Sequence, residues 1–122
     1  MLNYLDVVPL LSAACTTFSD SPEAAAIHPM NGAYLQTAQL ARHMIRLLDA
    51  GEVGDFSCVF GVVEWILAEG DVQARRLVND GFMDDLFNPG FYAAACCSAF
   101  DFVDWLGPKA RRHPRVRSLS CD

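Results

Sequence analysis

His43 stands between Arg42 and Arg46 in a segment with a helical pattern, and it is the first residue that invites a catalytic reading. An imidazole serves as a general base only where a nucleophile gives up a proton to it and a carboxylate orients it. Glu64 supplies that carboxylate if the helices carrying the two residues pair, although a plain structural hydrogen bond is the commoner use of such a pair. Arg42 and Arg46 lie one helical turn apart, so they share a face and are able to clamp a carboxylate or a phosphate. Surface ion pairs with Glu52, Glu69 or Asp71 are the simpler expectation for them.

Five carboxylates form the second constellation: Asp80, Asp84 and Asp85, with Asp101 and Asp104 further on. Paired carboxylates bind hard cations, but the spacing here is not that of a calcium loop, and no acid–histidine metal set lies along one helix. An acidic patch that meets a basic partner is the functional alternative, and an ordinary solvated face the structural one. We take these five residues as the partner-binding candidates, with no catalytic set, metal or cofactor expected. The aromatics Phe82, Phe87, Phe91, Tyr92, Phe100, Phe102 and Trp105 crowd the same half of the chain, and adjacent Phe91 and Tyr92 cannot both enter one small core. Aromatics left at the surface beside carboxylates have the composition of an interface hot spot. Nucleophile elbows, phosphate loops and dinucleotide fingerprints are absent from the sequence.

The five cysteines, Cys15, Cys58, Cys96, Cys97 and Cys121, are odd in number, follow no disulfide framework and include no CxxC pair. Cys96 and Cys97 fall in an alanine-rich run, where free cysteine behaves as a small hydrophobe.

The net charge of −6 conceals an asymmetry: residues 1–108 hold 4 basic and 14 acidic groups, while 109–122 hold 5 basic and 1 acidic. The body repels nucleic acid and draws cationic partners. The basic end, Lys109 to Arg117, is expected as a solvated terminus or as a segment folded against the acidic body, with a nucleic-acid arm as the disfavoured alternative. At 122 residues, 52% hydrophobic, the chain has the material for one folded domain. Asp49, Glu64, Glu69 and Asp71 interrupt the apolar stretches, so no membrane span is expected. The opening MLNYLDVVPLLSAAC lacks a basic leader and carries Asp6, which suggests a cytoplasmic protein.

The elements that must position these groups read as helices throughout. Leu2, Leu5, Val8, Leu11 and Cys15 recur at helical spacing, with Pro9 a possible break. An irregular connection follows, in which Ser21-Pro22-Glu23 can start one turn. Leu35, Ala38, Ala41, Ile45 and Leu48 mark a second helix ending at Gly51. Phe56, Val59, Phe60, Val63 and Leu67 mark a third, whose second apolar face of Val62, Trp65 and Ile66 makes it central. Asp71 caps a fourth, in which Gly81 is a kink or a close-packing point. Asn88-Pro89-Gly90 is a turn, after which FYAAACCSAFDFVDWL is long enough for four helical turns, closed by Gly107-Pro108. Two-residue alternation and hairpin signals are missing, so the expected fold is all-α: about five helices packed as antiparallel hairpins, an irregular bundle or a short HEAT-like stack over residues 1–108, with 109–122 as a basic tail.

The segment EGDVQARRLVNDGFMDDL, Glu69 to Leu86, resembles the second helix of a HEAT-type repeat. With ARHMIRLLDAGEVGDFSCVFGVVEWILAEGD before it and the LGPKARR run after it, the chain is similar to a family of small bacterial helical proteins. The pattern falls on Ala41, Arg42, His43, Gly51, Phe56, Phe60, Glu64, Glu69, Gly70, Asp71, Arg75, Gly81, Phe82, Asp85, Leu86, Leu106, Gly107 and Pro108. Thr16 departs from a proline in that pattern, and its tryptophan-rich end is missing. The resemblance implies a helical domain of the sort found beside secreted bacterial toxins, acting as an immunity protein and without catalysis. The expected function is therefore toxin neutralisation by occlusion through an acidic helical surface. A helical adaptor acting through homo-oligomerisation, as a homodimer for example, is the alternative.

Overall fold

The computed structural model describes residues 1–119, and within them the fold is all-α, with no strand. Cys121 lies outside the described residues. Helix α1, Tyr4–Ala14, opens on a capping box in which the Asn3 side chain accepts from the Leu5 amide and the Asn3 amide donates to Asp6. It runs through Pro9 unbroken. The amide that proline lacks would have served the Leu5 carbonyl, and both residues are exposed, so water can take its place. The buried stripe is Val7, Leu11 and Cys15, whereas Leu5, expected on that face, is 79% exposed.

Helix α2, Pro22–Ala25, is a single turn started by Ser21, whose hydroxyl accepts from the Ala24 amide. Helix α3, Ala33–Asp49, ends in a paired C-terminal lock: Glu52 N–H donates to Leu47 O, Gly51 N–H donates to Leu48 O, and Gly51 takes a φ of 76°. Only glycine adopts that left-handed position without strain. Helix α4, Phe56–Glu69, buries Phe56, Val59, Phe60, Val63, Ile66 and Leu67, as its pattern requires. It is the central element: α1, the helix after it and the C-terminal turns all pack on it.

From 72 to 86 the backbone is helical without a break, but its middle is widened. Helix α5, Val72–Arg76, passes into a π-helical stretch, Leu77–Met83, and returns to α-geometry as α6, Asp84–Leu86. Gly81 lies in the π stretch and faces α3, where a Cβ would sit 3.0 Å from Thr37 Oγ1 and 3.1 Å from Tyr34 Cδ1. The close-packing role expected of Gly81 is therefore observed.

The final third departs from expectation. In place of one four-turn helix there are two 3₁₀ segments, Pro89–Tyr92 and Ala99–Trp105, with irregular chain between. Asp49 at the end of α3 accepts the amides of Cys96 (3.0 Å) and Cys97 (3.1 Å), which a continuous helix would have bonded to its own carbonyls. Past Pro108 the basic segment forms a 3₁₀ turn, Ala110–Arg112, and helix α7, Pro114–Leu119, with Ala110 and Val116 buried. It is folded onto the body.

Phe102 is fully buried at the centre of an aromatic cluster, 5.3 Å from the Phe56 ring, 5.9 Å from Phe60 and 6.4 Å from Phe87. Trp105, one 3₁₀ turn on, stacks edge-on against Phe56 at 5.1 Å. Phe102→Ala is predicted to lower the unfolding free energy by about 3–5 kcal/mol in urea titrations. A loss below about 1 kcal/mol would show that this segment is not part of the core.

Candidate functional site

The carboxylates singled out from the sequence do not form one cluster with one role. Asp80 is exposed on the π stretch and borders a shallow groove shared with Arg75 and Arg76. Asp84 is paired, its Oδ1 lying 2.8 Å from Arg115 Nε. Asp85 is half-buried: burial pushes its carboxyl up, the Asp84 charge adds to that, and Arg42 and Arg115 pull it back only in part. Asp101 caps the segment Ala99–Trp105, accepting the Ser98 amide at 3.1 Å. Asp104 follows it by three residues, is exposed, and enters no ion pair among the described residues.

In a 3₁₀ helix residues three apart eclipse one another. Asp101 and Asp104 therefore form one outward ridge while Phe102 and Trp105 form the inward one. Phe100, at 60% exposure, stands beside the acidic ridge. Arg111 secures the far end of the segment by donating to the carbonyls of Val103 (3.2 Å) and Leu106 (2.9 Å). Helix α7 packs against this segment while its Arg115 holds Asp84.

His43 does not meet Glu64. Its Nδ1 lies 2.8 Å from Glu23 Oε1 and its Nε2 lies 2.8 Å from Thr17 Oγ1. Glu23 can only accept, so Nδ1–H donates to it, while Nε2 meets the Thr17 hydroxyl on the other side of the ring. Arg46 clamps the same carboxylate with both Nε and Nη2, taking the place of the pairs expected with Glu52, Glu69 or Asp71. Hydroxyl, imidazole and carboxylate thus stand in the order of an acyl-transfer triad. Such a triad acts through amides that receive an oxyanion beside the hydroxyl. Here the flanking amides are engaged: Thr16 N–H by Asp55 at 2.9 Å and Phe18 N–H by the Cys15 carbonyl at 3.0 Å. What the network does is pin the irregular connection after α1 to the buried face of α3.

Glu64 is used elsewhere. Its two carboxylate oxygens accept the amides of Lys109 (3.0 Å) and Ala110 (2.8 Å), and it passes so close to Gly107 that a Cβ there would collide with it. Arg42 lies over the Phe91 ring at 4.3 Å, beside a groove of about 440 Å³ that Glu23, Arg46, Asp49 and Phe91 also line. Cys96 is exposed and Cys97 half-buried, so the vicinal pair is not core as its apolar surroundings suggested, whereas Cys15 is fully buried. Burial and the Asp49 charge push the Cys97 thiol up, away from the reactive thiolate. Among the described residues no three His, Cys, Asp or Glu side chains converge as a metal set, and no helix is long and apolar enough to cross a membrane.

The chain matches no family model, no characterised protein and no solved structure. Its site must be read from its own geometry.

Sequence reasoning missed Glu23 and Thr17 because both lie in the irregular connection, where no periodicity assigns a face. Ser21-Pro22 announced a helix start, and the glutamate one position on was the available signal. Burial pushes the Glu23 carboxyl up, but hydrogen bonds from Arg46 and His43, with the Arg46 charge, outweigh it and hold the carboxyl below its ordinary value. A carboxyl lowered in the folded state stabilises above its unfolded pKa of about 4.3, and that stability is lost as pH falls through the folded value. Glu23→Gln is therefore predicted to destabilise the protein at pH 7 and to flatten the loss between about pH 5 and 3. Urea midpoints of both proteins across that range test this; parallel curves would exclude the network as the source.

Proposed function

We propose that this chain is an immunity-type protein that binds and neutralises a cognate bacterial toxin by occlusion through an acidic helical surface. The observation that carries the reading is the segment Ala99–Trp105, which sets Asp101 and Asp104 in register on one ridge with Phe100 exposed beside them. A short 3₁₀ element held at both ends loses little entropy on binding, and an aromatic anchor flanked by carboxylates suits a basic, water-excluding contact. Asp80 and the partly available Asp84 and Asp85 extend the acidic character, since the Arg115 pair leaves Asp84 40% exposed. The net charge of −6 would speed encounter with a cationic active site. The resemblance of most of residues 38–112 to small helical bacterial proteins supports the same reading. In it the chain is no enzyme and works in the cytoplasm.

The adaptor reading, in which the chain self-associates, is favoured by one observation: Trp65 and Phe100 are 46% and 60% exposed. Native mass measurement of the purified chain, alone and with the product of the adjacent gene, separates the two. A monomer that forms a one-to-one complex with its neighbour supports the immunity reading, whereas a constitutive dimer with no complex at micromolar concentration removes it. In that complex Asp104→Lys is predicted to slow association several-fold at low salt, with the difference shrinking as salt screens the field. An unchanged rate would place the contact away from the ridge.

A further inference from the structure

A second concavity lies where the C-terminal 3₁₀ turn meets α5 and the π stretch. It measures about 290 Å³ and is lined by Leu67, Arg75, Asn79, Lys109, Arg112 and His113. Most other cations of the chain are spent: Arg46 on Glu23, Arg115 on Asp84, Arg111 on two carbonyls and Arg42 on the Phe91 ring. Arg75, Lys109 and Arg112 enter no ion pair among the described residues. Three like charges are thus held around one small hollow in a chain whose net charge is −6.

The walls are fixed by contacts that leave those cations available. His113 Nε2 donates to the Asn79 carbonyl at 2.8 Å and its Nδ1 accepts the Arg115 amide at 3.2 Å, so both ring nitrogens are used and the C-terminal segment is locked to the π stretch. Glu64, the carboxylate on this side of α4, is turned to the amides of Lys109 and Ala110. Asp80 borders the adjoining groove beyond Arg75 and Arg76. Mutual repulsion among Arg75, Lys109 and Arg112 is relieved by an anion that all of them reach. Two guanidinium forks and an ammonium match a ligand with several charged oxygens, which is the chemistry of phosphate. A long polyanion would carry its flanking charges over the acidic remainder of the surface, whereas a compact one keeps them inside the hollow.

We propose that this groove binds a compact phosphate-bearing anion of pyrophosphate or nucleoside-diphosphate size. Calorimetric titration of the full chain at constant ionic strength tests it with three probes: inorganic pyrophosphate, a nucleoside diphosphate and a single-stranded oligonucleotide. One-site binding of pyrophosphate is expected, weakened about tenfold or more by Arg75→Ala and by Arg112→Ala, and unaltered by Arg42→Ala. Arg112→Lys, which keeps the charge and loses the fork, is expected to fall between, and thermal melts of each variant confirm that it is folded. Equal affinity for the nucleoside diphosphate would assign the diphosphate alone as the recognised group, and tighter binding would add the base; either supports the proposal. Absence of pyrophosphate binding, or affinity unchanged in both alanine variants, overturns it. So does an oligonucleotide that binds more tightly than pyrophosphate and is lost in the same variants, which would make the groove a nucleic-acid contact.

Discussion

One carboxylate decides what the basic C-terminal segment of this protein becomes. Glu64, on the central helix, receives the two amides that open the Ala110–Arg112 turn, and Gly107 leaves the space for it to do so. A buried or half-buried backbone amide needs an acceptor, and a carboxylate is the strongest the chain has. With that contact made, Ala110 and Val116 enter the core, Arg111 reaches the carbonyls behind it, and α7 is placed to pair Arg115 with Asp84. A segment that composition alone marks as a loose basic tail is thereby turned into structure.

The same contact organises the charges. By folding onto the body, the basic segment neutralises part of the acidic surface at Asp84 and leaves other parts bare, so two surfaces of opposite sign result. One is the ridge of Asp101 and Asp104 beside Phe100, held against the aromatic cluster through Phe102. The other is the hollow between Arg75, Lys109 and Arg112. Beside α3, Glu23 works comparably: it orients His43, is clamped by Arg46, and binds an irregular connection to a helix. In both places a single glutamate ties a short segment to a long helix, Glu64 by accepting backbone amides and Glu23 by accepting side-chain donors.

Helix α4 was legible because Phe56, Val59, Phe60, Val63 and Leu67 repeat at the helical period on a helix that is apolar nearly all round, so an error of one residue in phase would change little. Helices α1 and α3 were legible as helices but not in their facing: Leu5 and Leu35 fit the apolar stripe and are 79% and 57% exposed, while Thr37 and His43, which fit it poorly, are buried. Polar groups enter a core when a partner meets them, as Tyr34 O meets Thr37 and Glu23 meets His43, and such partners are invisible to periodicity. The run from Phe91 to Trp105 failed for a related reason. Its composition suits a helix, but Asp49, more than forty residues earlier, takes the amides of Cys96 and Cys97, and Ser98 with Asp101 then restarts the chain as a 3₁₀ segment. Of the candidate site, the residue types were readable and their division of labour was not, because that division is set by the long-range contacts of Glu64, Asp49 and Arg115.

The role given to Glu64 is open to direct measurement by amide hydrogen exchange, read residue by residue in the native protein and in Glu64→Ala. With Glu64 holding the turn, Lys109 and Ala110 exchange slowly in the native chain and lose that protection in the variant, while the amides in the middle of α4 keep theirs. Exchange of Lys109 and Ala110 at the rate of an unstructured peptide in the native protein would contradict that role.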